Sequence, residues 1–496
     1  MKTVSKPFAP PIQRVIDLLR EATAGTQYEG ELYLVGGLLR DRQLGLSGAS
    51  DLDLVLEGDA VELARFLHSK GISRHFPVLY PRFGTAMLTI GTESESESFA
   101  IELVSARAES YQPDSRKPDV RRGTIQEDVL RRDFTINTLL ENLHSGERFD
   151  LTGRAMSDLE AGILKTPLEP RITFFDDPLR MLRAIRFAAR FEFEIEAETW
   201  EAICVEAQRL RPPAIAFERI RDEFVKIVAL PGKRFRRGME LLKESNLLPE
   251  FLPEMLPMMG CVQGGWHPYD VWEHTLKALE TLPDSASVET RLGLLWHDIG
   301  KPPTRSVEAT GVRFYGHPVV GADMTRAFMT RLKFSNEEIR DVVTLVRLHM
   351  RLGDYRPEWP DGTLKRLMRD CGVYLDDIFI LSKCDQSACR IPPEVMVNLP
   401  DLRKRIDAFN ALTNVLKIDS PLNGIEIMRL LNAGEGKHLQ AAKEHLVNEV
   451  IEGRLAEGDK AGASKVLLEW WSEDVREGAD KHLATVHAMN LPSSER

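Results

Sequence analysis

The sequence has no long apolar run. Nothing in it approaches the ~18 consecutive apolar residues needed to span a bilayer, and no apolar core of roughly 7–15 residues follows the lysines of MKTVSKPFAPPIQ. Neither a membrane span nor a secretory leader is expected, which places the protein in the cytoplasm without a membrane partner. Cysteine is scarce as well. Cys204, Cys261, Cys371, Cys384 and Cys389 are all there are, and no two have CxxC spacing, which excludes a disulfide scaffold, a zinc ribbon and CxxC redox chemistry. Positive charge is in deficit: 65 Lys and Arg stand against 76 Asp and Glu, a net charge of −11. A protein that coats nucleic acid with its whole surface is disfavoured, because phosphate binding works by basic groups displacing counterions. Such contacts fall to local patches, namely Arg131 with Arg132, the row from Arg180 to Arg190, and Lys233, Arg234, Arg236 and Arg237. Taken singly, each patch is more often solvated surface. There is no internal repeat, and only Glu93 to Ser98 is low in complexity.

What remains is the composition of an ordinary globular chain, 43% hydrophobic and 28% charged over 496 residues. At about 150 residues per domain, that length implies about three units. Gln13 to Ala24 has helical spacing, ELYLVGG is a short buried strand ending in two glycines, and DLDLVLEG, GTAMLTIG and SFAIELVSA are further strands, with the helix VELARFLHSKG among them. After Ile172 the apolar spacing is almost entirely helical, as in PLRMLRAIRFAARF and FERIRDEFVKIVAL. Joints are expected near Leu168 to Arg171, Pro257 to Pro268 and Asp419 to Gly424.

Asp51 and Asp53 lie two apart on a predicted strand, whose period of two puts both carboxylates on one face. Two close carboxylates repel unless a cation lies between them, and that pairing suits Mg²⁺-dependent nucleotidyl transfer. Alone, a DxD is more often a polar surface strand. Upstream stand Gly36, Gly37, Arg40 and Asp41: paired glycines let backbone N–H groups approach a phosphate where a helix begins, and Arg40 is suited to bind a triphosphate.

These segments, LVGGLLRDRQLG then SDLDLVLEG, resemble the head of the class II tRNA nucleotidyltransferases and bacterial poly(A) polymerases. The resemblance continues in order through RFGTAMLTI, IELVSARAESY, EDVLRRDFTINTLL, DLTGRAMSDLEAGILKTP, FFDDPLRMLRAIRFAARFEFEIE and FERIRDEFVKIV. It implies that Asp51 and Asp53 hold the catalytic Mg²⁺ and that Gly36, Gly37, Arg40 and Asp41 contact the triphosphate. It further implies that Arg131, Arg132 and Asp133 bind ribose and phosphates with support from Asn137. Glu102 is a third-carboxylate candidate that is equally consistent with facing solvent. In the family an acidic pair and an arginine read the incoming base in place of a template; the counterparts are Asp176, Asp177 and Arg180, where Asp176 replaces the usual Glu. A carboxylate accepts from the amino group of C or A, and a guanidinium donates to ring nitrogens and carbonyl oxygens. Arg180, Arg183, Arg186 and Arg190 then share one helix face, which the resemblance points at the nucleotide. Ser105 to Gln126 resembles the loop with which CCA-adding members switch from C to A.

Further on, His274, His297, Asp298, His317, His349 and Asp385 appear in the contexts WEHT, WHDIGKP, FYGHP, RLHM and SKCDQSA. Imidazoles with carboxylates suit divalent transition metals, and an adjacent His-Asp can hold a metal that activates water toward a phosphoester, although any one His alone is more often packed or at the surface. As a set they resemble the HD phosphohydrolases, which implies a divalent metal and an activity on RNA ends, phosphatase or cyclic phosphodiesterase. The tail, LNGIEIMRLL followed by NAGEGKHL, departs from the family's turn at this point.

The expectation is an α+β protein: a polymerase-β-like, mixed-sheet nucleotidyltransferase head over 1–168, an all-α neck over 169–258, an HD domain over 259–418 and a helical tail over 419–496. It would add CCA to tRNA from CTP and ATP. The alternatives are an A-adding specialist, a poly(A) polymerase, or a phosphohydrolase with an RNA-binding head.

Overall fold

The alternation of buried leucines with polar positions along DLDLVL sets the first architecture. Leu52, Leu54 and Leu56 are at most 2% exposed, each burial contributing about 2 kcal/mol, so Asp53 lies on the other face of the pleat, next to Val55, which is buried as well. The structure, a computed structural model, describes residues 7–46, 51–91, 98–110, 119–309, 311–412, 418–436 and 438–471. The chain divides into two compact units, residues 1–256 with 328–335, and residues 257–327 with 336–496.

In the first unit the strands are β1 (Leu32–Val35), β2 (Asp51–Leu56), β3 (Val78–Tyr80), β4 (Thr85–Gly91), β5 (Ser98–Ser105), β6 (Arg107–Ser110), β7 (Asp119–Arg122), β8 (Leu140–Asn142) and β9 (Arg148–Phe149). Seven of them form one sheet in the order β3-β4-β5-β2-β1-β8-β9, while β6 and β7 pair as a separate ribbon. The sheet is mixed, as expected: β2 and β5 are parallel and the other neighbours antiparallel. Helix starts follow their caps. Asp59 accepts from the N–H groups of Val61 and Glu62 to open Ala60–Ser69, and Thr124 with Glu127 forms a capping box for Ile125–Leu130. Helices Pro170–Asp176, Leu179–Phe191, Ala197–Glu206, Phe217–Val228 and Gly232–Glu244 follow the sheet.

The second unit is built from helices such as Val271–Leu279, Val288–Trp296, Asn336–Leu348 and Leu375–Ser387, and ends in Gly424–Leu431, His438–Ile451 and Lys460–Trp470 around a core of Leu422, Ile427, Leu446 and Leu467. Helix His317–Arg331 begins in this unit, but its last residues, from Phe328, belong to the first. There Arg331 donates to the Phe251 carbonyl at 2.9 Å and to Glu254.

The structure departs from the all-helical expectation after Ile172 at short strand pairs. Ile163–Leu164 pairs with Glu194–Ile195, Val262–Gly264 with His267–Asp270, and Arg305–Glu308 with Gly311–Phe314. Strands of two to four residues are too short to display a period of two. The turn between the second pair depends on Gly264 and Gly265, both with positive φ. No helix among the described residues is long and apolar enough to cross a membrane.

Candidate active sites

Strand β2 carries the head's acidic pair against a glycine turn. Gly36 has φ +80°, open to glycine, and a Cβ there would lie 3.3 Å from Asp53 Oδ2 and 3.7 Å from Arg132 Nη1. Glycine thus lets the backbone come up to the carboxylate, at the start of helix Gly37–Leu44. Parallel pairing sets Asp53 opposite Glu102 and Asp51 opposite Ala100. Lateral partners share a face, so Glu102 stands beside Asp53, exposed. Carboxylate oxygens side by side on one sheet face are the hard donors a Mg²⁺-type cation takes.

Around this face the cationic residues are tied into one network. Asp133 Oδ2 accepts from Arg183 Nε at 2.9 Å and Nη2 at 2.6 Å, and its Oδ1 accepts from Asn137 Nδ2 at 2.9 Å. Burial works against its charge, but Arg183 and Asn137 outweigh it and hold the carboxyl well below the usual carboxylate range. Arg131 and Arg132 both engage Asp128, Arg132 at 3.0 Å. Arg40, expected at the triphosphate, is instead 4% exposed. It donates to Asn137 Oδ1 at 2.5 Å and to Asp41, and lies 5.0 and 4.7 Å from the ring centroids of Phe187 and Phe191. Its guanidinium is largely enclosed by these partners, which hold it beside the Gly36 turn. Arg190 reaches Asp41 at 3.3 Å.

Asp176 ends one helix, Asp177 lies in the turn, and Arg180 is in the first turn of the next helix. Asp177 accepts from Leu179 N at 3.1 Å and from Arg219 at 2.8 Å, while Arg180 donates to the Arg131 carbonyl at 2.7 Å. Arg186 does not share the fate of its neighbours: it is buried and bound to Glu223 at 2.7 Å. Arg219 and Glu223 were visible only as members of FERIRDEFVKIV; their partners are some 40 residues away in sequence, and no local spacing announces them. Of the loop expected over Ser105 to Gln126, residues 111–118 lie outside the described residues.

In the second unit six residues from five separate elements meet. His274 Nε2 is 2.8 Å from Asp385 Oδ1 and 3.7 Å from Asp298 Oδ2. His297 Nε2 is 3.2 Å from Asp298 Oδ2, and His317 and His349 approach Asp298 Oδ1 at 3.4 and 3.7 Å. Three rings are fixed from behind: Nδ1 of His297, His317 and His349 lies 2.7, 2.9 and 2.7 Å from the carbonyls of Leu294, Phe314 and Val346. A backbone carbonyl only accepts a hydrogen bond, so Nδ1 carries the hydrogen and the Nε2 lone pairs turn toward the carboxylates. Lone pairs facing carboxylates repel, and His297 Nε2, buried, makes no hydrogen bond. This donor set fits a divalent transition metal. With no cation between them, Asp298 and Asp385 outweigh burial and push the His297 pKa up to about 10, so a proton takes the place beside Nε2 that a metal ion would take, while burial and His297 push His349 down to about 3.

Sequence reasoning missed three neighbours. Buried Lys301 donates to Asp298 at 2.6 Å and to Gln263 at 2.7 Å. His267 and Cys389 line the same cavity, about 630 Å³, with exposed Trp266 and Tyr315 at its edge. Lys301, three residues after Asp298 in WHDIGKP, was legible in the motif.

Three comparisons bear on these sites. Residues 32–165 match the family model for the poly A polymerase head domain, residues 192–259 that for the "Probable RNA and SrmB- binding site of polymerase A", and residues 265–380 that for the HD domain. A CC-adding tRNA nucleotidyltransferase of Thermus thermophilus is 35% identical over 70% of this chain and 78% of its own. The tRNA nucleotidyltransferase cca2 of Schizosaccharomyces pombe is 33% identical over 88% of this chain and 93% of its own. The fold is that of the Bacillus stearothermophilus CCA-adding enzyme solved with CTP, with a TM-score of 0.66 at 21% identity, covering 95% of this chain and all of that one.

Proposed function

Because the chain belongs to the tRNA nucleotidyltransferase family, we propose that it adds C, C and A to tRNA 3′ ends from CTP and ATP, and that its second unit hydrolyses phosphoesters. The observation that carries the first reading is the sheet face on which Asp53 and Glu102 are register partners beside the Gly36 turn and Arg132. Asp51 and Asp53, with Glu102 beside them, are the residues that would hold Mg²⁺, which when bound neutralises triphosphate charge and favours the ionised 3′ hydroxyl. The N–H groups of Gly37 and its successors, at a helix start, receive phosphate oxygens. Arg131 and Arg132 hold ribose and phosphates; Asp133 and Asn137 fix the surrounding arginines. Asp176, Asp177 and Arg180 read the base edge, with Asp177 kept in place by Leu179 N and Arg219, and Arg180 by the Arg131 carbonyl. Arg183 holds Asp133, and Arg40, Asp41 and Arg186 hold the framework. With tRNA and nucleoside triphosphates as substrates, the cytoplasm is its compartment.

In the second unit His274, His297, Asp298, His317, His349 and Asp385 would hold a divalent ion, which when bound supplies a nucleophilic water at neutral pH. Lys301, poised on Asp298, faces the cavity as the cation for a substrate phosphate.

Transcripts ending at the discriminator base, at C and at CC, each given CTP, ATP or both, test the first reading at single-nucleotide resolution. Completion to CCA on all three is expected. A stop after CC, the activity by which the Thermus relative is named, would restrict the enzyme to CC addition. One A added only to the CC-ended transcript would make it an A-adding specialist, and long A tails would make it a poly(A) polymerase. No extension at all would sink the reading.

A further inference from the structure

The second unit holds ligand-type side chains beyond the six already described. His267, His274 and Cys389 bring one ligand atom each to within 4.8 Å of one another. Cys389 Sγ lies 3.4 Å from His267 Nδ1, and the rings of His267 and His274 meet edge to face at a centroid separation of 4.9 Å. His274 is fully buried, and among the described residues its Nδ1 has no hydrogen-bond partner. A buried ring nitrogen left without a partner calls for a reason, and an ion is one. The placement follows from the elements. Strand His267–Asp270 runs directly into the helix that carries His274, and Cys389 follows Asp385 by four residues, just past the end of helix Leu375–Ser387.

We propose that His267, His274 and Cys389 hold a divalent transition-metal ion of borderline softness, Zn²⁺ by preference, in addition to any ion on the HD residues, with the unpartnered Nδ1 of His274 turned to this ion and its Nε2, beside Asp385, to the HD centre. Two imidazoles and a thiolate select zinc over magnesium or calcium, which take oxygen donors. Three protein ligands leave a further position open, and His267 and Cys389 both line the cavity onto which that position would open. None of this depends on which phosphoester, if any, the unit hydrolyses.

Replacing the protein's zinc with Co²⁺ gives the test. The full-length protein should show the near-ultraviolet thiolate-to-cobalt charge-transfer absorption, and Cys389→Ser should lose it together with about one zinc ion per chain by elemental analysis. His267→Asn should weaken both readouts. Far-UV circular dichroism and the thermal midpoint of each variant in chelator check that the fold is intact. Asp298→Asn should keep the thiolate absorption; its disappearance there would place the ion in the HD centre and overturn a separate site. Absence of the band in the parent protein, or a band and zinc content unchanged in Cys389→Ser, would overturn the proposal outright and leave Cys389 and His267 as a packed pair.

Discussion

Asp133 shows how much of the head's chemistry depends on one buried charge. Its carboxylate takes two hydrogen bonds from Arg183 and one from Asn137. Because its folded pKa lies below the ordinary value of about 3.9, its stabilisation is complete above that value and is lost as pH falls through the folded pKa. Asp133→Asn should therefore be less stable by about 2 kcal/mol at neutral pH, with the gap closing on acidification; urea unfolding across the acid range measures it. Arg40 invites a different substitution. Arg40→Lys keeps the charge but gives up the planar fork that reaches Asn137 and Asp41 beside two phenyl rings, and a loss of about 1–3 kcal/mol in unfolding free energy is expected. Asp53→Asn acts on chemistry instead. Single-turnover extension should fall at least ~100-fold with CTP and ATP alike, while phosphoester hydrolysis stays at the parent rate.

At the scale of elements, close crossings decide which segments tolerate change. A Cβ on Gly300 would meet Gly321 N at 2.6 Å and the His317 carbonyl closer still. Because backbone cannot give way as a side-chain tip can, Gly300→Ala should cost about 3 kcal/mol or more and displace His317, abolishing hydrolysis and lowering the melting temperature. This element-level detail also marks what the sequence could disclose. The strand bearing Asp51 and Asp53 and the helix bearing Arg180 to Arg190 were legible because period two and period 3.6 are local properties, whereas the mixed sheet was legible only through the family resemblance. The six HD residues were legible because their types recur in short, distinctive contexts. The burial of Arg40 against Phe187 and Phe191 was not legible, nor was the pairing of Arg186 with Glu223 or the approach of Cys389 to His267. Each joins positions that only the folded chain makes neighbours. Glu102 is the intermediate case: its strand was readable, but its face depended on the parallel register with β2, which no single strand encodes.

For the whole molecule, two centres of different donor chemistry imply two separable responses. Chelation should stop both activities, and Mg²⁺ alone should restore nucleotide addition, to the oxygen donors of Asp51 and Asp53, before a transition metal restores hydrolysis at the imidazole site; sequential add-back with both assays running checks this. His297→Ala combined with Asp298→Ala should abolish hydrolysis and spare CCA addition. The helix from His317 to Arg331 has another consequence. Its first residue belongs to the HD cluster, whereas Phe328 to Ser335 complete the other unit, where Arg331 braces Phe251 and Glu254. Thus no single cut yields two whole products: a fragment ending at residue 256 would lack its brace, and one beginning at 257 would carry it away. Gene fission at one point would strip the first unit of residues 328–335, so only duplication followed by complementary loss would part the two units whole.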